Sequence, residues 1–153
     1  MIIRSARITD AKEIHRLIEH YANKREMLHR SLNAIFESIQ EFIVIKTSNK
    51  NNNIIGCGAL HISWEDLAEI RSLAIVEKYQ KIGFGRKLVA KLQNKAKKLD
   101  IKRIFTLTFK PQFFIKLGYN IIVKEALPHK IWSECVNCYL FPDCGEVSLL
   151  KII

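Results

Sequence analysis

The sequence predicts a single domain, residues 1–153, of mixed α/β class, and three observations carry the prediction. The chain is 48% hydrophobic and 26% charged with only 6 Gly and 3 Pro, a balance that builds one core and leaves no Gly/Pro-rich linker. Apolar residues recur at helical spacing in some segments and in short β-branched runs in others, in the order β-α-α-β-β-β-α-β-α-β with one late strand. No segment repeats another.

Residues 2–8 form the first expected strand. Asp10 followed by Glu13 has the spacing of a capping box. The helix it opens carries Ala11, Ile14, Leu17, Ile18, Tyr21 and Ala22 on one apolar stripe. A polar connector, residues 23–30, leads to Ser31, an N-cap residue for a second helix lined by Leu32, Ile35, Phe36 and Ile39. Residues 42–47 are a β-branched run, 48–53 a hairpin turn, and a strand restarts at Ile54. Next come a strand over residues 68–76, a glycine-containing turn, and a helix over 84–99 with Phe84, Leu88, Val89, Leu92, Ala96 and Leu99 on one side. Residues 101–109 read as a strand, 112–117 as a short helix stopped by Gly118, and 119–124 and 146–153 as the last strands. Residues 126–145 are irregular. Trp64 and Trp132 fit a core or a cleft wall, and His15, His20 and His29, in or after the first helix, are expected to be solvated.

The net charge of +10, from 25 Lys and Arg against 15 Asp and Glu, suits nucleic acid, an anionic cofactor or an acidic substrate, and charge alone does not choose. The lysines are densest at Lys87, Lys91, Lys95, Lys97 and Lys98, the pattern of a solvated helix side, so no nucleic-acid partner is expected. No apolar run is long enough for a membrane span and the N-terminus lacks a signal peptide, which predicts a cytoplasmic protein with no membrane partner. Cys57, Cys135, Cys138 and Cys144 are then expected as reduced thiols. Cys135, Cys138, Cys144 and His129 have the donor types of a tetrahedral zinc site, but their spacing is incomplete as a ribbon or finger, and no metal is assigned.

The turn Gln80-Lys81-Ile82-Gly83-Phe84-Gly85 sits where a strand feeds a helix. The first amides of a helix lack internal partners and lie at its positive end, which suits a pyrophosphate. Gly83 and Gly85 remove side chains there, and Arg86 and Lys87 add cationic charge. A Rossmann turn needs a third glycine and a Walker loop needs Gly-Lys-Ser/Thr, and both are absent. Together with residues 69–75, the turn resembles the acetyl-CoA motif of the GNAT superfamily of N-acetyltransferases, Gln/Arg-x-x-Gly-x-Gly/Ala. The resemblance implies a mixed, mostly antiparallel sheet with helices on both faces and a V-shaped splay between two central strands. It implies acetyl-CoA as co-substrate, bound at Gln80, Lys81, Ile82, Gly83, Phe84, Gly85 and Arg86, with the main chain of residues 82–86 holding the pyrophosphate and that of Leu73, Ala74 and Ile75 pairing with the pantetheine amides.

Two segments, Ala68-Glu69-Ile70-Arg71-Ser72-Leu73-Ala74 and Glu125-Ala126-Leu127-Pro128-His129-Lys130-Ile131-Trp132, resemble the acetyltransferase domain of short, single-domain bacterial N-acetylglutamate synthases. That resemblance implies acetylation of the α-amino group of L-glutamate, the first step of arginine biosynthesis, by direct attack of the amine. It places Glu69 as the base that deprotonates the ammonium, directly or through water, and Leu28, Arg30 and Ser72 as substrate contacts, Arg30 being a cationic fork for a carboxylate. The tyrosine that many GNAT enzymes use to protonate the thiolate is replaced by Phe114 in Phe113-Phe114-Ile115-Lys116-Leu117-Gly118-Tyr119. Thr108 is the hydroxyl that could hold a water in that role. The rival readings are an acetyltransferase for another small amine or a protein N-terminus, and a non-catalytic acetyl-CoA-binding module; a homodimer is compatible with each.

Overall fold

The computed structural model describes residues 1–128 and 145–153. Strand β1 (Ile2–Ser5) is followed by helix α1 (Ala11–Ala22), whose apolar stripe is buried at every position expected. It packs against Ile35 of α2 (Leu32–Glu37) and Phe42 and Val44 of β2 (Phe42–Lys46). Ser31 caps α2, its hydroxyl accepting from the Ala34 amide at 3.0 Å.

The capping box at Asp10 does not form. The Asp10 carboxylate, 3% exposed, accepts from Arg4 at 2.7 and 3.1 Å, from Lys46 at 3.2 Å and from the Arg7 amide at 2.8 Å. Glu13 accepts instead from the Ile54 amide at 2.5 Å. A carboxylate buried between two strands needs cations more than a helix end needs a cap. The first strand is correspondingly shorter than its β-like sequence, and residues 8–10 form a single 3₁₀ turn.

The remaining strands are β3 (Ile54–Trp64), β4 (Leu67–Ile75), β5 (Arg103–Thr108), β6 (Asn120–Ile122) and β7 (Val147–Ile152). The sheet order is β1-β2-β3-β4-β5-β7-β6, antiparallel throughout except for β4 and β5. A parallel pair needs a crossover, which helix α3 (Phe84–Lys98) supplies. Helices α3 and α4 (Pro111–Ile115) cover one face over Ile43, Leu60, Ile70 and Ile104; α1 and α2 cover the other over Val44, Cys57, Ala59 and Ala74. Three sequence expectations fail locally, the first at Phe36 of α2, which is exposed. Leu99 is the α3 C-cap residue and 54% exposed, and Trp64 stands at the exposed end of the β3–β4 hairpin, not in a core or cleft wall. Trp132 lies outside the described residues. No helix among the described residues is long and apolar enough to cross a membrane.

Candidate active site

The cleft begins where β4 and β5 part. Their backbones pair at Leu67 with Arg103, Ala68 with Ile104, and Glu69 with Phe105. Beyond that point the link is a side chain, Thr106 Oγ1 donating to the Ile70 carbonyl at 2.9 Å. On its other edge β4 carries a bulge: Ala59 pairs with Arg71 but Cys57 pairs with Ala74, and Ser72 takes a φ of +55°. The extra residue reverses the alternation, so Ile70 and Leu73 contact the same apolar cluster although three residues apart. Gly58 lies opposite the bulge. A β-carbon there would stand 2.9 Å from Leu73 Cδ1 and 3.1 Å from Leu92 Cδ1, so the glycine makes room for the kinked strand. Cys57 donates to the Ser72 carbonyl at 3.5 Å, and burial pushes its thiol up to about 12, which keeps it protonated and unreactive.

The glycine turn lies at the open end of this cleft, and its two glycines serve different purposes. Gly83 caps α3 with φ +98°, no side-chain hydrogen bond, and nothing within 4 Å of where a β-carbon would sit. The first-turn amides of α3 therefore face a space clear of side chain. Gly85 is different: a β-carbon there would touch the Phe113 ring at 3.1 Å, so its need for glycine comes from packing on α4. Gln80 turns inward, donating to the Ile75 carbonyl at 2.8 Å and to Tyr21 Oη at 2.9 Å, while Tyr21 Oη donates to the same carbonyl. Both lone pairs of that oxygen are occupied, so pantetheine pairing along residues 73–75 cannot use it. Lys81, Ile82 and Arg86 are exposed around the loop, Lys81 with φ +61°, and Phe84 is half-buried with Lys87 Nζ 5.4 Å from its ring centre.

Glu69 is 7% exposed and stands at the last paired position before the splay, with His61 in register across β3. Arg71 follows on the same face, its Nη1 3.8 Å from Glu69 Oε2 and its Nη2 3.8 Å from Glu41 Oε2. Glu41, in the turn before β2, accepts from His61 Nδ1 at 2.9 Å through Oε1. Two carboxylates, a guanidinium and an imidazole thus gather beside the vertex. Of these, only Glu69 is singled out by its sequence motif. Arg71, Glu41 and His61 acquire partners through register and a turn that connect distant residues.

Leu28 and Arg30 are half-buried in the connector between α1 and α2, Arg30 just ahead of the Ser31 cap. The connector is tied to the far side of the cleft by Lys110, whose Nζ lies 3.1 Å from Glu26 Oε2. Thr108, three residues beyond the last β5 position paired with β4, accepts from the Lys110 amide at 2.9 Å and is partly exposed. Phe114 is buried against Phe113 and Tyr119. Tyr119 is no substitute acid: its hydroxyl is buried, accepts from Gln93 Nε2 at 2.9 Å, and is pushed up to about 12 by that burial. His20 on α1 and His29 in the connector are exposed and stand near Glu77 and Glu19, while His15 on α1 is half-buried. Among the described residues no group of three or more His, Cys, Asp or Glu could hold a metal ion. His129, Cys135 and Cys138 with Cys144 lie outside the described residues.

The geometry has counterparts. The acetyltransferase (GNAT) family model matches residues 8–119. A Chlorobaculum tepidum protein named an uncharacterized N-acetyltransferase is 38% identical over 99% of this chain and 96% of its own. An amino-acid acetyltransferase of Mycobacterium tuberculosis is 33% identical over 99% of this chain and 84% of its own. Among solved structures, a Mycobacterium tuberculosis protein in complex with CoA superposes with a TM-score of 0.86 at 30% identity, over 100% of this chain and 99% of its own. N-acetylglutamate synthase of Neisseria gonorrhoeae, complexed with coenzyme A and N-acetyl-glutamate, superposes with a TM-score of 0.85 at 26% identity over 99% of this chain. This chain spans 34% of that longer one. With its mostly antiparallel sheet, splayed central strands and uncapped glycine turn, the chain belongs to the acetyltransferase (GNAT) family, whose acetyl donor is acetyl-CoA.

Proposed function

We propose that this protein acetylates the α-amino group of L-glutamate. The observation that carries the proposal is Glu69, a buried carboxylate at the point where β4 and β5 separate, with Arg71 beside it. An amine is mostly ammonium at neutral pH and cannot attack until it loses a proton, so a carboxylate at the vertex is the group this chemistry needs. The matching of nearly the whole chain to a relative named an amino-acid acetyltransferase supports a free amino acid as the acceptor class.

Acetyl-CoA, when bound, supplies the thioester that the amine attacks. The fit is supported by the clear space at Gly83 and the uncapped first turn of α3. The amides of residues 82–86 would hold the pyrophosphate, Gln80 fixes the loop by its two hydrogen bonds, and the β4 backbone around Leu73 and Ala74 lines the arm leading inward. Glu69 takes the ammonium proton, directly or through a water. Arg30 and Leu28 in the connector and Ser72 in the bulge would receive the amino acid, Arg30 gripping a carboxylate with two parallel N–H groups. Thr108 would position a water for the departing sulfur.

The test is thiol release from acetyl-CoA measured against each of the twenty amino acids, with the product identified by mass spectrometry. Glutamate should give the highest kcat/KM and N-acetylglutamate as product. A different amino acid at the top, or turnover of none, would overturn the assignment.

A further inference from the structure

The Glu41–His61 pair is a built arrangement that the roles given above do not use. Glu41 Oε1 lies 2.9 Å from His61 Nδ1, and a carboxylate can only accept, so Nδ1 carries a proton and, in the neutral ring, Nε2 holds a lone pair. His61 stands in register with Glu69 on adjacent antiparallel strands, where β-carbons are about 5 Å apart. Its side chain is 24% exposed, which gives the ring a route to solvent. Glu41 Oε2 is buried and has no hydrogen-bond partner among the described residues, Arg71 Nη2 being 3.8 Å away. Glu41 therefore fixes the ring through Oε1 while Oε2 faces the Arg71 guanidinium, so the carboxylate holds the imidazole in one tautomer and one orientation beside Glu69.

We infer that His61 is a second proton-accepting group of the site: it receives through Nε2 the proton that Glu69 removes from the acceptor ammonium, and releases it to solvent. One proton moves at each step, from nitrogen to the Glu69 carboxylate, from there to Nε2, and from the imidazolium to water or buffer. The physical need is plain. A carboxylate that ordinarily titrates near 4 is a poor resting place for a proton at neutral pH, whereas imidazole titrates near 6.5 when unperturbed. The charged and titratable groups that face the ring among the described residues are Glu41 from the turn before β2 and Glu69 and Arg71 from β4, with Lys95 of α3 acting on Glu41 from further off.

The inference rests on the proposed function, with Glu69 as the base, and the test separates the relay from the choice of acceptor. Wild type, His61→Gln and Glu41→Gln are compared from pH 5 to 9 by thiol release, using whichever amino acid wild type turns over fastest. Thermal melting and acetyl-CoA calorimetry serve as controls. The acceptor's own ammonium titrates identically in all three and cancels in the ratio of variant to wild-type kcat/KM. For His61→Gln that ratio should vary with pH, near one at the acid end and about a tenth or less above the ordinary imidazole range. For Glu41→Gln, which replaces the charged acceptor of Nδ1–H with a neutral one, kcat/KM should also fall about threefold or more at the neutral and alkaline end while acetyl-CoA binding holds; this holds the test even if His61→Gln folds poorly. A ratio that does not vary with pH, or stays within twofold throughout, overturns the relay and leaves the pair a structural pin. A wild type that prefers another amino acid overturns the glutamate reading alone, and one that turns over none overturns both.

Discussion

Tyr21→Phe removes one oxygen atom and isolates a single claim, that α1 orders the cofactor turn. The phenyl ring keeps its edge contact with His20, at 5.0 Å between ring centres, and its place in the core. Two hydrogen bonds go: Tyr21 Oη to the Ile75 carbonyl, and Gln80 Nε2 to Tyr21 Oη at 2.9 Å. The third side of the triangle, Gln80 Nε2 to the Ile75 carbonyl at 2.8 Å, remains. At about 0.5–1.5 kcal/mol net for each bond, the two together contribute roughly 1–3 kcal/mol. If about 1–2 kcal/mol of this is spent on ordering the turn that receives acetyl-CoA, affinity falls roughly five- to thirtyfold. Calorimetry of acetyl-CoA binding with parallel steady-state kinetics reads it: Kd and KM for acetyl-CoA rise, while kcat and KM for the amino acid stay within about twofold. An unchanged acetyl-CoA affinity together with a lowered melting temperature would refute the positioning role and leave Tyr21 as a core residue.

Two other perturbations address the acceptor side and the scaffold. Arg30→Ala should raise KM for glutamate about tenfold or more and leave KM for acetyl-CoA nearly unchanged, since only glutamate brings a carboxylate to the fork; equal movement of both constants in two-substrate kinetics would make Arg30 structural. At Asp10, burial pushes the carboxyl up, but hydrogen bonds from Arg4, the Arg7 amide and Lys46 outweigh it and hold it at about 2 against an ordinary 3.8. A folded-state value below the unfolded one means stability that is complete above about pH 4 and lost as pH falls toward 2, roughly 2 kcal/mol in all. Asp10→Asn should therefore melt about 4–8 °C below wild type at pH 7 and approach it near pH 2, as differential scanning calorimetry would show; a gap that persists undiminished at pH 2 would mean the loss is not electrostatic.

What could be read from sequence was local. The apolar stripe of α1 repeats every three or four residues and needs no tertiary information, and Ser31 caps a helix that starts at the next residue. The capping box at Asp10 misled because the partners that claim its carboxylate include Lys46, 36 residues along the chain. Gly83 and Gly85 look alike in sequence, yet one answers a positive φ and the other the Phe113 ring on a later helix. Glu69 was legible only through its motif. Its setting among His61, Arg71 and Glu41 depends on the β3–β4 register and on the turn before β2, neither of which any spacing encodes. Thr106 reads as one more strand residue until the sheet shows it making the last link before the strands divide.

The central claim is that a carboxylate on β4 does the chemistry at the cleft vertex. Glu69→Gln tests it with the smallest change of shape. The variant should melt close to wild type and bind acetyl-CoA with unchanged Kd, while kcat for N-acetylglutamate formation drops on the order of a hundredfold or more, the usual scale of general-base catalysis. Turnover by Glu69→Gln at the wild-type rate, with acetyl-CoA binding intact, would contradict the claim.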